Sequence, residues 1–211
     1  MNLYEKYLLP KLIHRVCGLS PMMRQRQKIV PLARGRVLEI GIGSGLNLDY
    51  YLTDKVTEII GVDPTPELNK LQQAVDNIAI PVTIIQQGID DVHIPVASID
   101  TVVTTYTLCT VPDPQRALEA AAKYLKDDGQ LLFIEHGHSD DVRVNRTQDI
   151  CNPLWKRIAG GCHLNRDISA IIDAAGYDIQ MIDSMYLPGW RPATYNVWGV
   201  AKKKKATTDN P

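Results

Sequence analysis

Residues 36–45 read Arg36-Val-Leu-Glu39-Ile-Gly41-Ile-Gly43-Ser-Gly45, an apolar run that opens into glycines at alternate positions. The run has the Val/Leu/Ile character of a strand buried on both faces. Glycine belongs where a backbone must turn tightly or approach a ligand with no side chain in the way. A glycine turn at the carboxyl end of a first strand is where open α/β sheets bind nucleosides. Working outward, further β-rich runs lie at Glu58–Asp63, Val82–Gln86, Ile99–Thr105 and Gln130–His136. Helical patterns at Pro66–Asn77 and Pro114–Leu125 stand between them, each opening on a proline suited to a first turn. Strand and helix in alternation predict a parallel sheet covered on both faces. After a helix at Asp167–Ala175, closed by Gly176, come two β-like runs, Asp178–Ser184 and Tyr195–Ala201. The loop LPGWRPA joins them, which predicts an antiparallel hairpin at the sheet edge.

The chain has 211 residues, room for one such domain, with 45% hydrophobic and 22% charged residues and a formal net charge of -1. That balance argues against a nucleic-acid partner, which calls for a basic field. Cys17, Cys109, Cys151 and Cys162 are widely and irregularly spaced, which fits reduced thiols in a cytoplasmic protein and offers no ligand-spaced pair for a metal. Residues 1–35 read as an amphipathic segment with Leu8, Leu12, Ile13, Val16 and Cys17 on one stripe, broken by Pro10 and Pro21, and serving as packing or as a lid. Residues 36–201 read as the domain and 202–211 as a polar tail.

The loop spacing is G-x-G-x-G, neither the dinucleotide G-x-G-x-x-G nor a P-loop. Asp63 ends the second strand about twenty residues on, where a carboxylate can accept from ribose hydroxyls, or simply hold the turn before Pro64. Glu39 can orient the loop or meet a ligand ammonium. A ligand with a ribose and an amino-acid end, and no pyrophosphate, suits this set better than NAD.

VLEIGIGSG, GVDPTPEL, IDTVVTTYTLCTVPDP and DDGQLLFIEHG resemble the class I S-adenosylmethionine-dependent methyltransferases over about Arg36 to Ala201. TLCTVPDP, FIEHG and NPLWKRIAGGCHLNRDI resemble a narrower branch that includes the alkyl-thiol methyltransferases and lies near the quinone and phospholipid enzymes. The resemblance implies a three-layer, doubly wound α/β fold with a seven-stranded, mostly parallel sheet, and S-adenosyl-L-methionine as cofactor. It implies that Gly41, Gly43 and Gly45 wrap the methionine end, with Glu39 at the first-strand acid position. Asp63 takes the ribose, flanked by Pro64 and Thr65. Gly88 and Ile89 hold the adenine, and Thr105 and Tyr106 face the methyl group. The thiol enzymes carry a long apolar N-terminal anchor where this sequence has a short amphipathic segment, so membrane residence is not carried over. Peripheral contact through Lys202–Lys205 stays open.

His136 and His163 are the candidate bases, each with a packing or capping role as the alternative. Asp149, Trp155, Asn165 and Arg166 are candidates for shaping the acceptor pocket, and Cys162 reads as a buried thiol. The expected reaction is methylation of a small apolar acceptor, a thiol first, because a thiolate needs little help near neutral pH. A quinone precursor or phospholipid amine comes second. A cofactor-binding regulator without catalysis is the rival from another class. A nucleobase amine is disfavoured, since strand four ends in TYTL without the N/D-P-P-Y/F turn.

Overall fold

The computed structural model describes residues 17–204. Seven strands form one sheet: β1 (Gly35–Ile40), β2 (Val56–Val62), β3 (Val82–Ile85), β4 (Ile99–Thr105), β5 (Leu125–His136), β6 (Tyr177–Tyr186) and β7 (Tyr195–Lys203). Their order is β3-β2-β1-β4-β5-β7-β6. β1 pairs in parallel with both β2 and β4, β2 with β3, and β4 with β5. β7 runs antiparallel between β5 and β6. The final hairpin thus lies at the sheet edge and supplies the antiparallel strand, β7, one position in from the edge strand β6. Strand order reverses between β1 and β4, and a crevice opens beyond the carboxyl ends of strands at such a switch point.

The α-helices of the described residues are α1 (Ser20–Ile29), α2 (Leu68–Asp76), α3 (Pro114–Tyr124), α4 (Val142–Ile158) and α5 (Ile168–Ala174). Side chains alternate across the strands and so build two cores. Leu38, Val102, Leu131 and Phe133 face α3 and α5, which contribute Leu118, Ala121, Ile168 and Ile172. Val37, Val103, Leu132 and Ile134 face the other way, onto Met22 and Ile29 of α1 and Leu71 of α2. Aspartates cap three helices: Asp113 accepts from Arg116 N, Asp141 from Arg143 N and Val144 N, and Asp167 from Ala170 N.

Several expectations change. Pro21 starts α1, in its first turn, where the missing N–H costs nothing. Leu8, Leu12, Ile13 and Val16 lie outside the described residues. α2 begins two residues later than Pro66, at Leu68. β5 begins at Leu125, directly after α3. β7 continues to Lys203, with Lys202 paired to Gln130 and Lys203 to Tyr177, so the lysine run starts inside the sheet.

The helix that the sequence pattern did not give is α4, seventeen residues with Pro153 inside. Its amphipathic pattern is largely inverted: Val142, Ile150, Leu154 and Ile158 are exposed, while Gln148 and Asn152 are buried with Val144. Its docking is polar. Ser139 N donates to Gln148 Oε1 at 2.9 Å, and Gln148 Nε2 donates to Gly137 O and Pro192 O at 3.1 and 3.0 Å. No described helix is long and apolar enough to cross a membrane.

Candidate active site

A cleft of ≈ 910 Å³ opens at the switch point. Its wall includes Glu39, Gly41, Gly43, Asp63, Pro64, Thr65, Gly88, Ile89, Thr105 and Tyr106. The glycines divide the labour. At Gly41 (φ 76°) an added Cβ would lie 2.3 Å from Thr107 Oγ1, so this residue is needed for packing. At Gly43 (φ 55°) the added Cβ would meet only Gly41 O, at 3.9 Å. Gly43 therefore leaves space for something other than protein. Gly45 is not part of the wall and packs instead on Leu48, Leu71 and Ala74.

Asp63 holds this loop from the side: its Oδ2 accepts from Gly43 N at 3.0 Å and its Oδ1 from Thr65 N at 2.8 Å. These bonds show Asp63 bracing the turn, and the residue also lines the cleft. Glu39 is only 1% exposed. Tyr51 OH donates to its Oε2 at 2.7 Å and Asn47 Nδ2 to its Oε1 at 2.9 Å. Asn47 in turn meets Thr105 Oγ1 at 3.0 Å, which ties β1, the glycine loop and the end of β4 together. Burial pushes the Glu39 carboxyl up to about 7, against the lowering effect of the Tyr51 and Asn47 hydrogen bonds.

Tyr106 has a φ of 55°, a left-handed conformation that costs a non-glycine residue about 1–2 kcal/mol. Its backbone N donates to Ile134 O at 2.7 Å and its hydroxyl to Asn196 Oδ1 at 2.7 Å, so the neighbouring strands hold it there. The Arg26 guanidinium lies 5.0 Å from its ring centroid. Arg26 is 4% exposed, lines the cleft, and its Nε and Nη1 have no hydrogen-bond partner among the described residues. A buried guanidinium with free donors facing a cleft is suited to a carboxylate. Sequence reasoning missed it because α1 showed only an amphipathic stripe, in which an arginine carries no signal. Asn47 was missed too, being an ordinary loop residue until the fold sets it beside Glu39.

Neither candidate histidine is on the described cleft wall. His136 ends β5 one layer behind, its ring 5.2 Å from that of Tyr106 and its Nδ1 3.5 Å from Cys162 Sγ. Burial would lower its pKa, but the Cys162 hydrogen bond and charge raise it overall. His163 Nδ1 lies 3.4 Å from Asn152 Nδ2, and burial together with the Arg166 and Lys156 charges lowers its pKa.

The other candidates for the acceptor pocket also stand off the described wall. Asn165 Nδ2 bonds Asp149 Oδ1 at 2.8 Å, Trp155 packs 6.1 Å from Trp190, and Arg166 Nη1 donates to Leu108 O and Val111 O. Cys162 is buried, as read, but it is not alone. Ligand atoms of Cys109, His136 and Cys162 all lie within 4.8 Å of one another. Hydrogen bonding from Cys109 and then from His136 holds the Cys162 thiol well below its usual range, despite burial. No spacing rule could find this group, because its members come from three separate segments.

The methyltransferase-domain family matches residues 5–181. The chain is 29% identical over 173 residues to thiol S-methyltransferase TMT1B of Rattus norvegicus, covering 79% of this chain and 70% of that protein. It is 30% identical over 105 residues to a phosphatidylethanolamine N-methyltransferase of Cereibacter sphaeroides, covering 48% of this chain and 51% of the other. Among solved structures, the N-methyltransferase NodS of Bradyrhizobium japonicum in complex with S-adenosyl-L-homocysteine superposes with a TM-score of 0.67 at 12% identity. That match covers 90% of this chain and 91% of NodS.

Proposed function

The chain belongs to the class I S-adenosylmethionine-dependent methyltransferases, and from that premise we propose that it methylates the sulfur of a small, apolar thiol. What supports cofactor binding in the cleft is that Gly43 leaves room beside the loop, Asp63 lines it with carboxylate oxygens suited to ribose hydroxyls, and Arg26 and Glu39 offer a cationic and an acidic group to an amino-acid end. Bound there, S-adenosylmethionine supplies an activated methyl group. The protein's own work is to orient it and exclude water, and alignment of this kind can supply about 7–11 kcal/mol.

The observation that carries the thiol reading is the state of the groups at the end of β4. Thr105 Oγ1 is engaged by Asn47 and Tyr106 OH by Asn196, so both hydroxyls are already committed. With these two hydroxyls engaged, an acceptor on this wall must reach its reactive, deprotonated form without their help, and a thiol with a pKa near 8.5 is already partly thiolate at neutral pH. The 29% identity to a thiol S-methyltransferase supports the same reading. The second reading, a phospholipid amine or a quinone precursor, is favoured by the exposed apolar residues Ile150, Leu154 and Ile158 on α4. They suit peripheral lipid contact in a cytoplasmic protein.

The test is release of S-adenosylhomocysteine with an alkyl thiol, a quinol and phosphatidylethanolamine supplied in turn. The expected result is turnover with the thiol, rising with pH until the acceptor's own pKa is passed. Turnover with the quinol or the lipid alone would overturn the thiol reading. Cofactor binding with no turnover on any acceptor would favour a regulator.

A further inference from the structure

Cys109, His136 and Cys162 meet behind Tyr106, outside the cleft wall, and the methyl-transfer reading gives them no task. We propose that they form a binding site for one thiophilic divalent cation of the zinc class. Two thiols and an imidazole are the donor set that borderline-soft cations prefer, whereas magnesium and calcium take oxygen. With Zn–S about 2.3 Å and Zn–N about 2.0–2.1 Å, the S···N edge of a tetrahedron is about 3.6 Å. His136 Nδ1 and Cys162 Sγ stand 3.5 Å apart, and Cys109 Sγ closes the group within the common limit of 4.8 Å. Three protein donors leave the fourth tetrahedral position to water or another small ligand.

The site is built before any ion arrives. Cys109 follows β4, His136 ends β5 and Cys162 follows α4, yet the three segments are bonded to one another. His163 N donates to Cys109 O at 2.7 Å, and Arg166 Nη1 holds the same turn through Leu108 O and, at 2.8 Å, Val111 O. Beneath, the buried Glu135 carboxylate accepts from Cys109 N at 3.2 Å, from Thr107 N at 3.0 Å and from Thr104 Oγ1 at 2.9 Å. A carboxylate bonded to the backbone of a ligand fixes that ligand and adds negative charge behind it. A cation here would pin the turn after β4 to the segment after α4, so its binding is read in stability as well as in spectra.

The experiment uses the full chain, stripped with a chelator and kept reduced, and titrated with Co²⁺ alone. The expected result is a thiolate-to-cobalt charge-transfer band that saturates at one equivalent, is bleached by Zn²⁺, and is accompanied by a rise in melting temperature. Cys109→Ser and Cys162→Ser should each weaken binding at least about a hundredfold, the upper end for loss of even an outer partner. Cys151→Ser, on α4 and outside the group, should leave the band unchanged. Retained S-adenosylhomocysteine binding shows that each variant is folded, and His136→Gln gives an independent variant if a serine substitution is not. No charge-transfer band in the reduced wild type would overturn the proposal. So would a band that survives in folded Cys109→Ser and Cys162→Ser, or formation of a Cys109–Cys162 disulfide by a protein that binds no cobalt when reduced.

Discussion

Glu39→Gln isolates the cost of the buried carboxyl at the cleft. In the folded chain this group is pushed up to about 7 from an ordinary 4.5, chiefly by burial, with the Tyr51 and Asn47 hydrogen bonds pulling the other way. A folded pKa above the unfolded one means that the native state holds the extra proton between those values. The contribution of Glu39 to stability is therefore full below pH 4.5 and is lost as pH rises through about 7. At about 1.4 kcal/mol per pKa unit, the change between pH 5 and pH 8 is roughly 2–3 kcal/mol. Glutamine is uncharged throughout and keeps an acceptor for Tyr51.

Urea unfolding of both proteins at several pH values reads this directly, because every other titrating group cancels in the difference. The expected outcome is a difference that moves in favour of Glu39→Gln by that amount as pH rises from 5 to 8. The same logic applies to a ligand ammonium, which stabilises the carboxylate: affinity for S-adenosylhomocysteine should climb with pH below 7 and level off above it, in wild type only. Parallel stability curves, or an unchanged pH dependence of binding in Glu39→Gln, would refute the assignment of a strained, proton-holding carboxyl at this position.

Three further outcomes follow from neighbouring geometry. Gly43→Ala should cost only about 1–2 kcal/mol in stability, for a left-handed backbone, yet remove most cofactor affinity by calorimetry; Gly41→Ala, with its added methyl 2.3 Å from Thr107 Oγ1, should lose stability first. Asp63→Ala should weaken S-adenosylhomocysteine binding by roughly 2–3 kcal/mol, since a charged acceptor for both loop and ribose is removed; unchanged affinity in a folded variant would misplace the ribose. Asp141→Ala removes the cap of α4 and should lower stability by about 1 kcal/mol, or about 2–4 °C in melting temperature, with cofactor affinity retained.

How far the sequence could be read depended on where each signal resides. The strands of the parallel sheet were legible because burial on both faces forces continuous apolar runs, as at Ile99–Thr105, which matches β4 to the residue. The glycine loop was legible because backbone φ and ligand clearance are local properties. α4 was not, because its buried face sets Gln148 and Asn152 beside Val144 while Val142, Ile150, Leu154 and Ile158 face outward, which disrupts the usual pattern. Arg26, Asn47 and the Cys109, His136 and Cys162 group were hidden for another reason. Each gains its meaning from residues far away in the chain, across contacts that only the fold brings together.

On the proposed reading, Arg26 and Glu39 together favour a zwitterion over a simple cation or anion. The guanidinium has Nε and Nη1 donors without a partner among the described residues, in a buried position, and burial also drives the carboxyl toward its neutral form. Each group alone carries a desolvation cost that its present neighbours only partly offset. A carboxylate placed on Arg26 satisfies the free donors, and an ammonium placed near Glu39 restores its charge. One molecule that presents the two groups side by side brings both gains at once. An amino-acid end does this, and the nicotinamide half of a dinucleotide does not. On the proposed reading, the open face of Gly43 and the acceptor atoms of Asp63 leave the rest of that molecule to run along the loop, with its ribose toward the end of β2.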